Sequence, residues 1–309
     1  MRVLVVGAGA VGVVLYRALE QQKGNECTFL VRKGRKKELE RFKLVDARTG
    51  EMRVRERPAA VELGQVRPKI DTVLLCVRAD QLGAALDDVG ALAPGTRLAT
   101  ITPGAQGLAL LRTRHPGHPA VRIAPAFMAY PSEDTFVVWF PPLLHSPVSA
   151  EDGGPEARAF ADELAAALDA SGVPARARDR MIRGVDSGTA AMMPLLAAYG
   201  LAGFDGEALS RDRALLDLAA EAIADALALH GAPGIAGMIA RRAAAPLVRA
   251  ALVGGAALPT RLRAMWRVHG PKIERQTRDA IEQLTRRARE DGRPSAALDE
   301  ILRRMDATG

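Results

Sequence analysis

The sequence predicts an α/β domain over residues 1–174 followed by an all-helical domain over residues 175–309. Three observations predict it. Strand-like and helix-like segments alternate through the first half, strand signals stop near residue 174, and Gly172-Val173-Pro174 supplies a break at that point. A length of 309 residues suits two domains.

Arg2–Val6 is a short apolar run that ends in glycine and reads as the first strand. Ala10–Gln22 reads as a helix that Gly24 can stop. Cys27–Arg32 is a second strand, rich in β-forming residues. Lys43–Ala47 and Met52–Arg55 flank the turn Arg48-Thr49-Gly50-Glu51, which predicts a hairpin. Asp71–Val77 is almost continuously apolar, as strands are when helices cover both faces of a parallel sheet. Ala79–Leu92 reads as the next helix, closed by Pro94-Gly95; Arg97–Thr102, Val121–Met128 and Thr135–Phe140 read as further strands, and Gly154–Ser171 as an alanine-rich helix. Beyond residue 174, helices are expected over Arg176–Leu201, Ser210–His230, Ile235–Val253, Thr260–Asp291 and Ser295–Met305.

Composition excludes several classes of protein. The chain is 48% hydrophobic and 26% charged, which is ordinary globular usage. Two cysteines, Cys27 and Cys76, cannot build a disulfide framework or a four-ligand zinc site, and both sit in strand-like runs as expected for buried free thiols in a reducing, cytoplasmic setting. No HExxH, CxxC or close His/Asp cluster points to a metal. No stretch of about 18 residues, the length that crosses a bilayer, is apolar throughout. Arg2 followed by Val3–Leu15 has the outline of a signal peptide, but Gly7, Gly9 and Gly12 would break its helix and no small-residue cleavage site follows. The net charge of +7 is concentrated in residues 241–309, with 15 Lys/Arg against 8 Asp/Glu. With aromatics at only 4%, that excess reads as a solvated arginine-rich surface rather than a nucleic-acid platform, and neither nucleic acid nor membrane is expected as a partner.

Gly7-Ala8-Gly9-Ala10-Val11-Gly12 directly follows the first strand and opens the first helix, the setting a dinucleotide-binding turn requires. Gly7 allows the tight turn, Gly9 lets the backbone approach a pyrophosphate, and Gly12 lets the helix pack against the strand. From Ala10 onward the helix start offers unpaired N–H groups to phosphate. The N-terminal domain is therefore expected to be of the Rossmann type. About 20 residues past the glycines, where an NAD site places an acidic residue, stands Arg32, followed by Lys33 and Arg35. A guanidinium there suits a 2′-phosphate, so the expected cofactor is NADP(H).

The glycine motif, the strand end Leu30-Val31-Arg32 and the block Asp71-Thr-Val-Leu-Leu-Cys-Val-Arg-Ala-Asp-Gln81 together resemble the ketopantoate reductase (2-dehydropantoate 2-reductase) family. The total length and the switch to helices fit as well. The resemblance implies that Arg78 and Gln81 lie by the cofactor, Arg78 standing where the family has lysine. It implies that Gly104, in Thr102-Pro103-Gly104, stands where the family has Asn-Gly facing the nicotinamide, with proline in place of the asparagine. The family's catalytic lysine, placed upstream of an Asn-Pro-Leu that Met193-Pro194-Leu195 matches here, falls on about Val185, with Arg183 close by. Of the seven lysines only Lys272 lies in the helical domain, and the family's substrate-binding Ser and Glu fall on Ala264 and Gln276. The chain thus resembles a divergent member that lacks the catalytic lysine, and the family's helical domain implies a homodimer.

Carbonyl reduction needs a proton donor within reach of the reacting oxygen and a cation for an acidic substrate. His269 and Lys272 flank a Gly-Pro break that can turn both toward a cleft, while Arg183 and Asp186 (beside Ser187) lie where the family's first helix lines it. Tyr130 is a weaker donor candidate. The expected activity is NADPH-dependent reduction of a small oxo acid or related carbonyl compound; the alternative is a non-catalytic NADP(H)-binding sensor or partner-binding protein.

Overall fold

The computed structural model of the chain describes residues 1–34, 36–39, 41–64, 69–141, 144–179, 182–229 and 260–308. The described residues divide into two compact units, Met1–Ile182 and Arg183–Gly309.

In the first unit the apolar runs become strands of one twisted sheet. Its first strand, β1 (Arg2–Val6), sends Val3 and Val5 to one face and Leu4 and Val6 to the other. Both sets are buried, which is why the run reads as continuously apolar. The other strands are β2 (Glu26–Val31), β3 (Arg41–Asp46), β4 (Met52–Glu56), β5 (Ala60–Glu62), β6 (Thr72–Leu75), β7 (Arg97–Thr100), β8 (Ala120–Ile123), β9 (Met128–Ser132), β10 (Thr135–Trp139), β11 (Ser146–Ser149) and β12 (Ala175–Ala177). Among the described residues they form an eight-stranded sheet of order β12-β11-β8-β7-β6-β1-β2-β5 and a four-stranded sheet of order β4-β3-β10-β9. The larger sheet is parallel except where β11 meets β8. Helices α1 (Ala10–Glu20) and α4 (Pro155–Ala170) bury their apolar stripes on one face; α2 (Leu82–Val89) and α3 (Gly104–Arg114) cover the other. The smaller sheet packs over α1, where Tyr16 stacks on Phe29 at 4.2 Å and meets Phe42 edge-on at 6.2 Å.

Several expectations need correction. Strand structure continues past residue 174, because Ala175–Ala177 pairs in parallel with Ser146–Val148; that pairing keeps the segment in the first unit, whose limit falls at Ile182 rather than at 174. The expected strand Val121–Met128 is two strands in different sheets: Pro125 lacks the N–H that a ladder needs, β8 stops at Ile123, and β9 starts afresh at Met128. The expected hairpin is present as β3 and β4. Helix α3 was not expected, the glycine at its start and Gly107 within it hiding the pattern.

The second unit is helical in its described residues. It comprises α5 (Ile182–Leu201), α6 (Gly206–Arg211), α7 (Arg213–Leu229), α8 (Thr260–Glu290) and α9 (Ala296–Thr308). Ala197, Ala222, Ile281, Leu298 and Ile301 meet in its core. The expected helix from Ser210 is interrupted at Asp212, whose carboxylate accepts the Leu215 N–H at 2.9 Å and starts α7. The expected helix Ile235–Val253 lies outside the described residues. Helix α8 runs straight through Gly270-Pro271, so the expected break is absent. Glycine is needed there because a Cβ would sit 2.1 Å from the Phe204 ring. No helix among the described residues is long and apolar enough to cross a membrane.

Candidate dinucleotide-binding site

From β1 the chain winds outward to β2, then returns past β1 to β6 and continues to β7 and β8. The winding direction therefore reverses between β1 and β6, the kind of switch point at which open α/β sheets bind ligands beyond the carboxyl ends of their strands. The glycine turn leaves β1 there, and the Val77-Arg78 turn leaves β6.

The three glycines differ in the space around them. Gly7 has φ +104°, and a Cβ on it would lie 2.5 Å from the Cys76 carbonyl oxygen at the end of β6. On Gly12 a Cβ would lie 2.0 Å from the Gly7 oxygen. On Gly9 it would meet nothing within 4 Å. The turn is thus packed tight behind and open in front. Gly9 is the N-cap of α1, with its carbonyl accepting the Val13 N–H at 2.9 Å. No side chain caps this end, and the first turn carries no acidic residue. The N–H groups of Ala10, Val11 and Gly12 have no helical acceptors, and the positive end of the helix dipole points with them. This is an anion-binding end whose chemistry fits a pyrophosphate.

Arg32 follows the last residue of β2 and is exposed, as are Lys33 and Gly34. Gly34 takes φ +80°, and its N–H donates to Glu62 Oε1 at 3.0 Å. Glu62 stands at the tip of β5, directly beside Val31. Parallel pairing thus brings to this strand tip an acid that stands thirty residues beyond Arg32 in the sequence. Arg78 is held by Asp80 through two bonds, Nε–Oδ1 at 3.1 Å and Nη2–Oδ2 at 2.9 Å. That partner raises the Arg78 pKa further. Gln81 is half-buried at the N-cap position of α2, after a 3-10 turn at Ala79–Gln81. Gly104 opens α3 just beyond β7, behind Pro103 as N-cap. The structure thus groups Gly7, Gly9, Ala10 and Gly12 with the strand-end positions of Arg32, Arg78, Gln81 and Gly104 along the carboxyl edge of one sheet.

The helical-unit candidates are placed only by backbone. Arg183 and Asp186 lie on α5, and His269 and Lys272 on α8; their side chains lie outside the described residues. His230 also lies outside them. His115 and His118 sit at the opposite, amino-terminal edge of the sheet, where His118 Nδ1 lies 2.8 Å from the Thr96 carbonyl oxygen. Burial and the neighbouring His118 and Arg114 lower the His115 pKa. Tyr130 is buried within β9 in the smaller sheet. His145 lines a cavity of about 550 Å³ beside the second half of α1, at the end of that helix away from the glycine turn. Both cysteines are buried; burial pushes Cys27 up to about 12 and Cys76 higher still, so neither is a thiolate at neutral pH. Glu62 carried no signal in the sequence, whereas Asp80 was visible in the same block as Arg78.

The family model described as Ketopantoate reductase PanE/ApbA matches residues 3–136. This segment is a ketopantoate reductase family domain. No curated protein matches the chain. Among solved structures, the fold is shared with a D-mandelate dehydrogenase solved with NADH and anilino(oxo)acetate, at 15% identity and TM-score 0.73 over 99% of this chain and 97% of that one. It is shared too with a dimeric ketopantoate reductase from Staphylococcus aureus, at 14% identity and TM-score 0.70 over 99% and 98%. A probable 2-dehydropantoate 2-reductase from Bacillus subtilis matches at 15% identity and TM-score 0.68 over the whole of both chains. At such identities the likeness speaks for the fold: a ketopantoate reductase-like arrangement of an N-terminal Rossmann-type unit and a helical C-terminal one.

Proposed function

We propose that the protein is an NADP(H)-dependent oxidoreductase that reduces a small oxo acid or related carbonyl compound. The observation that carries this reading is the glycine turn at the switch point, closed behind by Cys76 and open at Gly9, with a free helix N-terminus in front of it. These residues fit a dinucleotide: the space a Cβ on Gly9 would fill is the space a pyrophosphate needs. When bound, the nicotinamide supplies the hydride. The backbone from Gly9 to Gly12 holds the pyrophosphate, Arg32 pairs with the 2′-phosphate, and Arg78, Gln81 and Gly104 border the rest of the cofactor. Of the helical candidates, Arg183 and Lys272 hold the acidic group of the substrate, while His269 and Asp186 handle the proton.

The substrate class draws support from the neighbours. The D-mandelate dehydrogenase is named for a 2-hydroxy acid and was solved with an oxo acid, and the matched family is named for reduction of another. A homodimer is proposed from the Staphylococcus aureus neighbour, described as dimeric. The two buried free thiols suit a reducing, cytoplasmic setting.

The test is fluorescence titration with NADPH and with NADH, followed by a turnover screen over 2-oxo acids, aldehydes and imines. Wild-type protein is expected to prefer NADPH. Arg32→Ala is expected to lose about 10- to 100-fold in NADPH affinity, the worth of hydrogen bonds to a charged group, with NADH little changed. A clear preference for NADH, or no turnover with any of the carbonyl compounds, overturns the reading.

A further inference from the structure

Selection of the phosphorylated cofactor is commonly assigned to the cation at the end of the second strand. Here the turn that carries the cation has a second anchor. Val31 and Glu62 are register partners in the parallel pair β2–β5, so the two residues stand side by side at the carboxyl edge. The ladder continues one step further, with the Leu63 N–H donating to the Val31 oxygen at 3.0 Å. Glu62 then reaches over the strand tip and accepts the Gly34 N–H at 3.0 Å. Gly34 is in the left-handed region at φ +80°, a conformation that reverses the chain directly after Arg32 and Lys33. The two basic residues therefore sit on a short exposed turn fixed at one end by β2 and at the other by a carboxylate.

We infer that Glu62 is a positioning residue that holds the Arg32–Gly34 turn in shape for the 2′-phosphate, and so sets how strongly the phosphorylated dinucleotide is selected. The inference rests on the proposed dinucleotide site. Two effects of Glu62 oppose one another. Its charge repels a phosphate, but the group is only half-buried beside an exposed turn, and its field is offset there by Arg32 and Lys33 and screened in part by water. Its hydrogen bond removes the need to order the turn when the phosphate arrives, a cost that a tethered loop has already met in the free protein. The second effect wins because it acts on the backbone that aims Arg32. A charged acceptor also makes this bond stronger than a neutral one would.

The experiment compares wild type, Glu62→Ala and Glu62→Gln, titrating each with NADPH, NADH and adenosine 2′,5′-bisphosphate, and follows amide hydrogen exchange at Gly34 in the free protein. Glu62→Ala is expected to weaken NADPH and the bisphosphate by about 5- to 10-fold, to leave NADH within about twofold, and to speed exchange at Gly34. Glu62→Gln keeps an acceptor oxygen and is expected to retain NADPH affinity within about twofold. The inference is overturned if Glu62→Ala leaves the ratio of NADPH to NADH affinity unchanged, whether by affecting neither or by weakening both alike. It is also overturned if both variants bind NADPH more tightly, since Glu62 would then act by repulsion. The wild-type titration reads the proposed cofactor separately: a wild type that prefers NADH sinks that reading and this one together, whereas a wild type that prefers NADPH with an unchanged ratio in Glu62→Ala sinks this one alone.

Discussion

The three glycines of the first turn make different demands, and alanine at each should separate fold from ligand. At position 12 a Cβ would be 2.0 Å from the Gly7 oxygen, against the 3.0 Å below which real Cβ atoms essentially never approach a neighbour, so α1 must lift from β1 by about an ångström. Overpacking of this kind costs about 1–3 kcal/mol. In a unit of this size about 2 kcal/mol lowers the melting temperature by roughly 4–8 °C. Gly7→Ala meets a 2.5 Å contact with the Cys76 backbone and is also strained by φ +104°, which adds about 1–2 kcal/mol and makes it the worse of the two. Gly9→Ala meets nothing within 4 Å at φ −76°, and the change at an N-cap costs about 0.5–1 kcal/mol. Its methyl group points into the space proposed for the pyrophosphate. It should melt within about 3 °C of wild type yet lose at least about tenfold in NADPH affinity, or about 1.4 kcal/mol. The assay is circular-dichroism melting of the free protein beside NADPH titration. If Gly9→Ala melts as early as Gly12→Ala, or binds NADPH like wild type, the three glycines do not divide fold from ligand in this way.

Other substitutions probe single contacts. Asp80→Asn frees Arg78 from an exposed pair that contributes little to stability, so melting should not move while NADPH affinity rises about 3- to 5-fold at low salt and less at high salt; an unchanged affinity would remove Arg78 from the residues that border the proposed cofactor. Glu151→Ala strips a fully buried guanidinium, Arg122 on β8, of a carboxylate 3.6 Å away, and should destabilise by about 3 kcal/mol in chemical denaturation; a loss under about 1 kcal/mol would contradict the burial of that pair. Cys27 and Cys76 should resist a thiol reagent at pH 8 in the native protein and react once it is unfolded in guanidinium. Because the folded-state Cys27 pKa is raised from 9.0 to about 12, its contribution to stability is complete below about pH 9 and is lost as pH rises toward 12. Rapid native labelling would show that the thiols are accessible after all.

The cofactor half was legible because its signals are local. A strand, a glycine turn and a helix follow one another within twenty residues, and the burial of β1 and β6 on both faces is written directly in their apolar runs. Other features were hidden because their cause lies far away in the chain. Helix α3 contains Gly107, a poor helix former that is tolerated because a Cβ there would press on Thr102 at 2.8 Å. β12 is three residues long and exists only because β11 offers it an edge. Gly270-Pro271 reads as a break, yet Pro271 is exposed and Gly270 serves as a seat for the Phe204 ring, so α8 continues. Glu62 became relevant only when parallel pairing set it beside Val31. For the proton-handling residues the sequence offered position on a helix and no constellation, since no short motif joins α5 to α8.

Tyr16 lies on α1 between Phe29 of one sheet and Phe42 of the other, so that helix is gripped from both sides along its middle. Trimming Phe42, far from any phosphate, would remove one of those two supports, and any shift of the helix would be carried to its first turn, where Gly9 stands. Remote repacking of the smaller sheet is thus a lever on cofactor grip, and a route to tuning it without touching a single ligand-facing atom.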